Sequence, residues 1–485
     1  MLNRQVILAK AAAIPQFEPW STRRNWDDTA WDTDLDHLRA IGDPAADKAL
    51  ELWLERQSNP KSAVRELAEK LTRLDPTNEI DELIDVLRRQ QQDLANDLDP
   101  QCDLQNNSSS QQDFDIAADL FKEHGLKIFL ILVCCSLPAA FAAQNGVRVL
   151  HSDNGSTGYF VKDLNRRLIE TSQFLIEVFS PGSLTIRNSN SCSAHGRAIQ
   201  TALRIRLLHA AVRHMVVTNL RNPPEGDRRN LGSPTWNLAA FGIPANQEDI
   251  AGTLMTFSLV VLDGLQRMEV SISDDQRNAY FAVWMTIGMA LGVKLLPPTV
   301  EDGRMMMVHI KRRQIDRPIQ QGIKNTFGID MTDRLLVFVR KGLPKPLGIV
   351  NLPAAITRFL LPHDIDVAKS LGIPETPLLE PMVGIWFWWE SHLSSWAWFK
   401  WLNRAIYVKW SKTDDRALGL FMLSRAFSKH ILRNMRNVDR PGRLRLQLHD
   451  WDRKWALNQK NFIRHGWLRL REKVGKPKKQ YDWAV

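Results

Sequence analysis

Thr201-Ala-Leu-Arg-Ile-Arg206-Leu-Leu-His209-Ala-Ala-Val-Arg213-His214-Met-Val-Val217 is the stretch on which the reading of this chain turns. Its apolar residues recur at helical spacing, so it reads as a buried helix. Positions three, four and seven apart share a face of a helix, which puts Arg206, His209 and Arg213 on one side. Two arginines and a histidine on an otherwise apolar helix are costly to bury unless the cations meet anions. A haem meets both demands: its iron takes a histidine nitrogen and its propionates take arginine forks. The plainer reading is a histidine satisfied within the core, and the residues alone leave both open.

Around this helix the pattern stays helical. Leu50, Leu52 and Trp53, then Val64, Leu67, Leu71 and Leu74, then Ile80, Leu83, Ile84 and Leu87 mark polar amphipathic helices across 34–98. Residues 99–112 are polar and read as a linker. Further helices are predicted over 161–180, 197–219, 247–272 and 275–293. The best strand signal is Leu335 to Val339. From Ile128 to Ala143 the chain is almost wholly apolar but falls short of the roughly 20 residues a membrane span needs. With Pro138 inside it, a buried core helix is expected.

Among the 485 residues, 44% are hydrophobic, enough for a sizeable core. Cys102, Cys134, Cys135 and Cys192 show neither metal-ligand nor disulfide-framework spacing, and the adjacent pair reads as small core residues. No signal peptide is apparent at the start, so an intracellular protein, cytoplasmic or peripheral to a membrane, is expected rather than a secreted one. The net charge of +10 is concentrated late in the chain, notably in Arg464 to Lys479. A solvated basic tail and an anionic membrane surface both fit it, and no nucleic-acid partner is expected.

A second unusual region spans 386–410. Trp386, Trp388, Trp389, Trp396, Trp398, Trp401 and Trp410 cluster there, interrupted by Glu390, His392, Lys400 and Arg404. Tryptophan suits a membrane interface because its body is apolar and its N–H seeks a partner. An aromatic-rich helical pair packed on the core is the alternative, although the basic tail that follows favours peripheral membrane contact.

Three constellations can carry chemistry. One is the Arg206–His209–Arg213 face. Another is Arg166-Arg167-Leu-Ile-Glu170-Thr171, where Arg167 and Thr171 share a helical face and Glu170 lies beside them. There a carboxylate and a hydroxyl can position a substrate or move a proton, though an arginine and a glutamate on a helix are more often a surface ion pair. In the third, Asn246-Gln247-Glu248-Asp249, Asn246 is an N-cap and the acids complement the helix dipole or pair with the buried arginines. Phosphate-binding loops, nucleophile elbows and zinc patterns are absent from the sequence.

Taken in order, these segments resemble the rubber oxygenase (latex-clearing protein) and MpaB oxygenase catalytic-domain family. The similar pieces are Ile41-Gly-Asp-Pro-Ala-Ala-Asp47, Ser136-Leu-Pro138-Ala-Ala-Phe-Ala-Ala with Gly146-Val-Arg-Val-Leu150, Arg167 with Thr171, and Arg206-x-x-His209-x-x-x-Arg213-His214. Asn246-Gln247-Glu248-Asp249 with Thr256-Phe257-Ser258, Tyr280 with Trp284, and Leu371-Gly-Ile-Pro374 follow. The resemblance runs from about residue 40 to 375. It implies a mainly α fold, a helical bundle with a globin-like haem-binding core and extra N- and C-terminal helices. It also implies haem b, with His209 as the proximal iron ligand and Arg206 and Arg213 holding either the propionates or the ligand helix.

Members that cleave rubber split a carbon–carbon double bond of polyisoprene with O2; MpaB-type members cleave an isoprenoid side chain in the endomembrane system. This chain departs at the distal side. Glu170 stands where rubber oxygenases carry a lysine, His151 falls near the place of an upstream glutamate, and no histidine stands near Met289. The resemblance therefore implies a haem b-dependent oxygenase using O2 on a hydrophobic isoprenoid or lipid-like small molecule, with Arg167, Glu170 and Thr171 on the distal side and 128–143 lining the substrate's path. Two alternatives stand beside it: a haem-binding or membrane-surface protein of the same fold without oxygenase activity, and a peroxidase-like or sensor haem protein. The expected organisation is an N-terminal helical region and linker (1–112), an oxygenase core (113–375) and a Trp-rich region with a basic tail (376–485).

Overall fold

A computed structural model describes residues 18–73, 78–97, 111–151, 164–180, 182–187, 193–221, 236–342, 351–361 and 365–393. The architecture is mainly α, as the periodicity predicts. The described strands are Thr185–Arg187 and Ser193–His195, an antiparallel hairpin that joins helix Leu164–Phe179 to helix Arg197–Arg221.

The helices begin where side chains can satisfy their first N–H groups. Asp27 accepts from the Ala30 amide at 2.9 Å and starts Asp28–Arg39. Asp43 accepts from the Ala46 amide and is followed by Pro44, whose missing N–H costs nothing at a first helical position. Asn246 caps Gln247–Arg267 through the Asp249 amide at 2.9 Å, as expected from the sequence. Ser273 and Gln276 form a reciprocal capping box on Asp274–Ala290.

Helix Asp274–Ala290 runs through the middle of the core, packed on Gln111–Ile131 and Gln247–Arg267. An aromatic ladder ties the layers together. Phe121 stacks on Phe179 at 5.0 Å, Phe179 on Tyr280 at 5.2 Å, and Trp284 meets Phe179 edge-on at 6.0 Å. All four side chains are essentially sealed from solvent, and burying each is worth about 1.5–3 kcal/mol.

The apolar run from Ile128 is a core segment, as expected: Ile128 to Cys135 are all buried. Among the described residues no single helix is long and apolar enough to cross a membrane. The bent pair Gln111–Gly125 and Lys127–Ala142 passes by length and composition only. Within this run the backbone widens into a π turn at Leu132–Ser136, two residues before Pro138. A second π turn at Arg312–Asp316 stands two residues before Pro318. In an α-helix a proline ring collides with the carbonyl four residues back, and the wider turn relieves that collision without ending the helix.

One expectation fails. Leu335 to Val339 is not a strand but part of helix Thr326–Gly342. The local β-branched and aromatic residues suggested extension, but Leu335, Phe338 and Val339 are buried while Val337 is half exposed. Burial at every third and fourth position decides for the helix.

Candidate functional site

Helix Arg197–Arg221 carries the Arg206–His209–Arg213 face. The structure finds both arginines carboxylate partners within the chain itself. Arg206 donates to both oxygens of Asp43, Nε at 2.5 Å and Nη2 at 2.8 Å. Arg213 donates from Nε to both oxygens of Asp47, at 2.9 and 3.0 Å, and from Nη1 to the Ala245 carbonyl at 2.7 Å. Asp43 and Asp47 lie one turn apart at the start of helix Pro44–Leu54, so the two pairs bolt that helix along the His209 helix. Burial alone would raise the Asp43 carboxyl, but the charge and hydrogen bonds of Arg206 outweigh it and hold Asp43 below the usual carboxylate range. Both arginines thus commit their charge to carboxylates of helix Pro44–Leu54 and its cap.

Two glycines make room for this cluster. At Gly292, φ is +81°, and a Cβ would lie 2.5 Å from Arg206 Nε and 2.6 Å from Asp43 Oδ2. At Gly42 a Cβ would meet Arg213 Nε at 2.8 Å. Gln247 closes the arrangement: its Nε2 donates to the carbonyls of Gly42 at 2.8 Å and Gly292 at 3.1 Å, and its Oε1 accepts from the Lys294 amide. The acids beside it serve a different arginine from those expected. Glu248 and Asp249 accept from Arg39, at 2.7 and 2.9 Å, and not from Arg206 or Arg213. Gln314 adds a bond to Glu248 at 2.9 Å.

His209 stands apart from this dense pairing. Its Nδ1 is shut off from solvent with no hydrogen-bond partner. Its Nε2 is not sealed off in that way, and neither nitrogen bonds to a described residue. Burial first, then the neighbouring charge of Arg213, pull the ring's pKa down to about 4 against a smaller upward pull from Asp43. The imidazole is therefore neutral at physiological pH, the form that binds a metal. Beside it the same helix presents Leu208, Val212, Met215 and Val216, which pack with Val149, Trp236, Leu238 and Phe241 into an apolar wall. A neutral, hydrogen-bond-free imidazole next to an apolar wall fits a haem iron.

Glu170 and Thr171 lie half-buried on helix Leu164–Phe179, which packs against the His209 helix. Neither hydrogen-bonds to His209. The contact that fixes the register of the two helices is Thr201 Oγ1 donating to Glu177 Oε2 at 2.5 Å. Arg167 belongs to the same helix, but its side chain, like those of His151 and the tryptophans beyond Trp389, lies outside the described residues. Cys134 and Cys135 are buried and free, as expected of core cysteines, and burial pushes the Cys134 thiol up to about 12. Among the described residues no cluster of three or more metal-ligating side chains is found.

Sequence reasoning missed the partners. Asp43 and Asp47 were visible as part of Ile41-Gly-Asp-Pro-Ala-Ala-Asp47, but nothing in their own spacing pointed to arginines some 160 residues away. Arg148 was visible only inside Gly146-Val-Arg-Val-Leu150, with nothing to set it apart.

The chain has relatives among known proteins. Residues 129–426 match the family described as ER-bound oxygenase mpaB/B'/Rubber oxygenase, catalytic domain. A rubber oxygenase from Streptomyces sp. (strain K30) is 28% identical over 196 residues, which make up 39% of this chain and 41% of that protein. The match thus spans well under half the length of that relative. The structure of latex clearing protein LCP in the closed state superposes with a TM-score of 0.50 at 18% identity, covering 81% of this chain and 91% of that one. At that identity the likeness speaks to the fold.

Proposed function

Because the chain belongs to the ER-bound oxygenase mpaB/B'/rubber oxygenase catalytic-domain family, we propose that it is a haem b-dependent oxygenase acting with O2 on a hydrophobic isoprenoid or lipid-like small molecule. The observation that carries this reading is His209, a neutral imidazole with an orphaned Nδ1 beside an apolar wall. His209 would hold the iron; Arg206 and Arg213 fix the helix that presents it, through Asp43 and Asp47. The haem would supply the site where O2 is bound and activated.

The chain's own residues do the rest. Val212 and Val216, buried with Val149 and Trp236, keep water from the His209 side, and the partly buried Leu208 and Phe241 packed on them offer a surface to an apolar substrate. Counting seven residues back from Glu177 reaches Glu170, and seven residues on from Thr201 reaches Leu208. Each step is two helical turns on one face. Glu170 therefore shares the face of its helix that Glu177 turns towards the His209 helix. There its carboxylate can hold or pass a proton, with the Thr171 hydroxyl and Arg167 beside it. Cleavage of a carbon–carbon double bond by O2 places one oxygen atom on each new carbonyl, so both atoms are accounted for and no outside reductant is required. Squalene or a shorter polyprenyl compound incubated with the purified protein under 18O2 tests this. Labelled carbonyl products support the reading, and haem-replete protein without any O2-dependent product refutes it.

A peripheral contact with an anionic lipid surface belongs to the same proposal. On helix Leu379–Leu393 and its approach, Leu378, Met382, Ile385 and Trp389 share one face and are 82%, 60%, 59% and 46% exposed. The sequence that follows, 394–485, contains 22 lysines and arginines against seven aspartates and glutamates. An apolar stripe followed in sequence by basic residues suits insertion among anionic headgroups.

A further inference from the structure

Among the described residues, most arginines that are not fully exposed bond to a carboxylate or a carbonyl, and buried Arg204 still has Asp81 at 3.7 Å; Arg148 has neither. Arg23 has Asp34, Arg39 has Glu248, Arg358 has Glu380, and Arg267 has the carbonyl at Leu360. Arg148, half-buried on helix Gln144–His151, has no acceptor, and its Nε is sealed from solvent without a partner. Burial pulls its pKa down with no carboxylate to oppose it.

Its surroundings explain what it is free to do. The guanidinium carbon lies 4.4 Å from the ring centre of Phe241 and 5.4 Å from that of Phe327. Stacking on a ring occupies the face of a guanidinium and leaves its in-plane N–H fork available. Phe241 is held by Arg39, which donates to its carbonyl at 3.0 Å, and it packs in the apolar wall of Leu208, Val212 and Val216 beside His209. A preset cationic fork thus stands at the rim of an apolar surface next to the proposed iron ligand. Arg206 and Arg213 are already committed to Asp43 and Asp47, whereas Arg148 has no carboxylate beside it.

We infer that Arg148 binds the carboxylate of a hydrophobic molecule seated against Leu208 and Phe241, the partly buried edge of the Val212–Val216 cluster. A planar fork matches a carboxylate through two parallel bonds. The carboxylate can be borne by a haem propionate or by the acid head of the substrate. The inference rests on the haem-pocket reading, and the experiment separates the two.

Holo-protein is prepared as wild type, Arg148→Gln and Arg148→Lys, each checked by far-UV circular dichroism. One arm measures haem transfer to excess apomyoglobin. The other measures binding of dodecanoate against dodecanol. If the acid head is the bearer, wild type prefers dodecanoate and Arg148→Gln loses that preference by about tenfold or more. If the propionate is the bearer, Arg148→Gln releases haem about tenfold faster. In either arm Arg148→Lys falls between, since it keeps the charge and loses the fork. Arg148→Gln equal to wild type in both arms overturns the inference. Protein that takes up no haem refutes the reading beneath it, and the dodecanoate arm then decides the role of Arg148 alone.

Discussion

Replacing Asp43 with asparagine isolates what the buried pair with Arg206 does. Asn caps a helix as well as Asp, so the start of Pro44–Leu54 is preserved and only the charge is lost. The Asp43 and Arg206 side chains are 2% and 1% exposed, so the remaining guanidinium cannot recover its solvation. Leaving such a charge unmatched costs about 3–5 kcal/mol, a large part of a typical stability of about 5–15 kcal/mol. At a urea dependence of about 3 kcal/mol/M, the unfolding midpoint should fall by at least about 1 M. The assay is urea unfolding followed by tryptophan fluorescence and circular dichroism, on Asp43→Asn, Arg206→Met and the double variant. Removing both charges restores balance, so the double variant should be more stable than the sum of the single losses by about 2 kcal/mol or more. An Asp43→Asn loss below about 0.5 kcal/mol, or strict additivity in the cycle, refutes the view that this pair anchors the His209 helix.

Gly292→Ala should cost at least about 2 kcal/mol in the same assay, since its φ is +81° and its Cβ would collide with the Arg206–Asp43 pair; a neutral result would contradict the packing described. The His209 ring, depressed from 6.5 to about 4, resists protonation in the fold but not in the unfolded chain. Stability of the haem-free protein should therefore fall as pH drops from about 6.5 to 4, by up to about 3 kcal/mol. His209→Gln should flatten that part of the pH profile, and an unchanged slope counts against the burial of this ring. Vesicle flotation should show binding to phosphatidylserine-containing but not to pure phosphatidylcholine vesicles, reduced severalfold by Met382→Glu with Ile385→Glu. Equal binding by the variant would place any membrane contact elsewhere.

The sequence made the helices legible because their signals are local. Asn246 as a cap, the apolar run at Ile128–Cys135 and the Arg206–His209–Arg213 face all follow from spacing along one element. Leu335 to Val339 misled because residue type pointed to a strand while the burial period, set by neighbouring helices, was that of a helix. The pairings of Arg206 with Asp43, Arg213 with Asp47 and Arg39 with Glu248 join distant segments. Each side of such a pair carries only a charge and a hint of burial, and no local pattern names the partner. Arg148 was hidden for the opposite reason: its distinction is the absence of any acceptor, which only the assembled surroundings reveal.

The proposed function stands on His209 presenting a neutral imidazole to a haem iron, which the absorption spectrum of purified, haem-reconstituted protein reads out. Wild type should show a Soret band that shifts when imidazole is added, and His209→Ala should lose or markedly displace it with the fold retained by circular dichroism. A wild-type protein without a Soret band, or a His209→Ala variant whose spectrum and haem content match wild type, would contradict it.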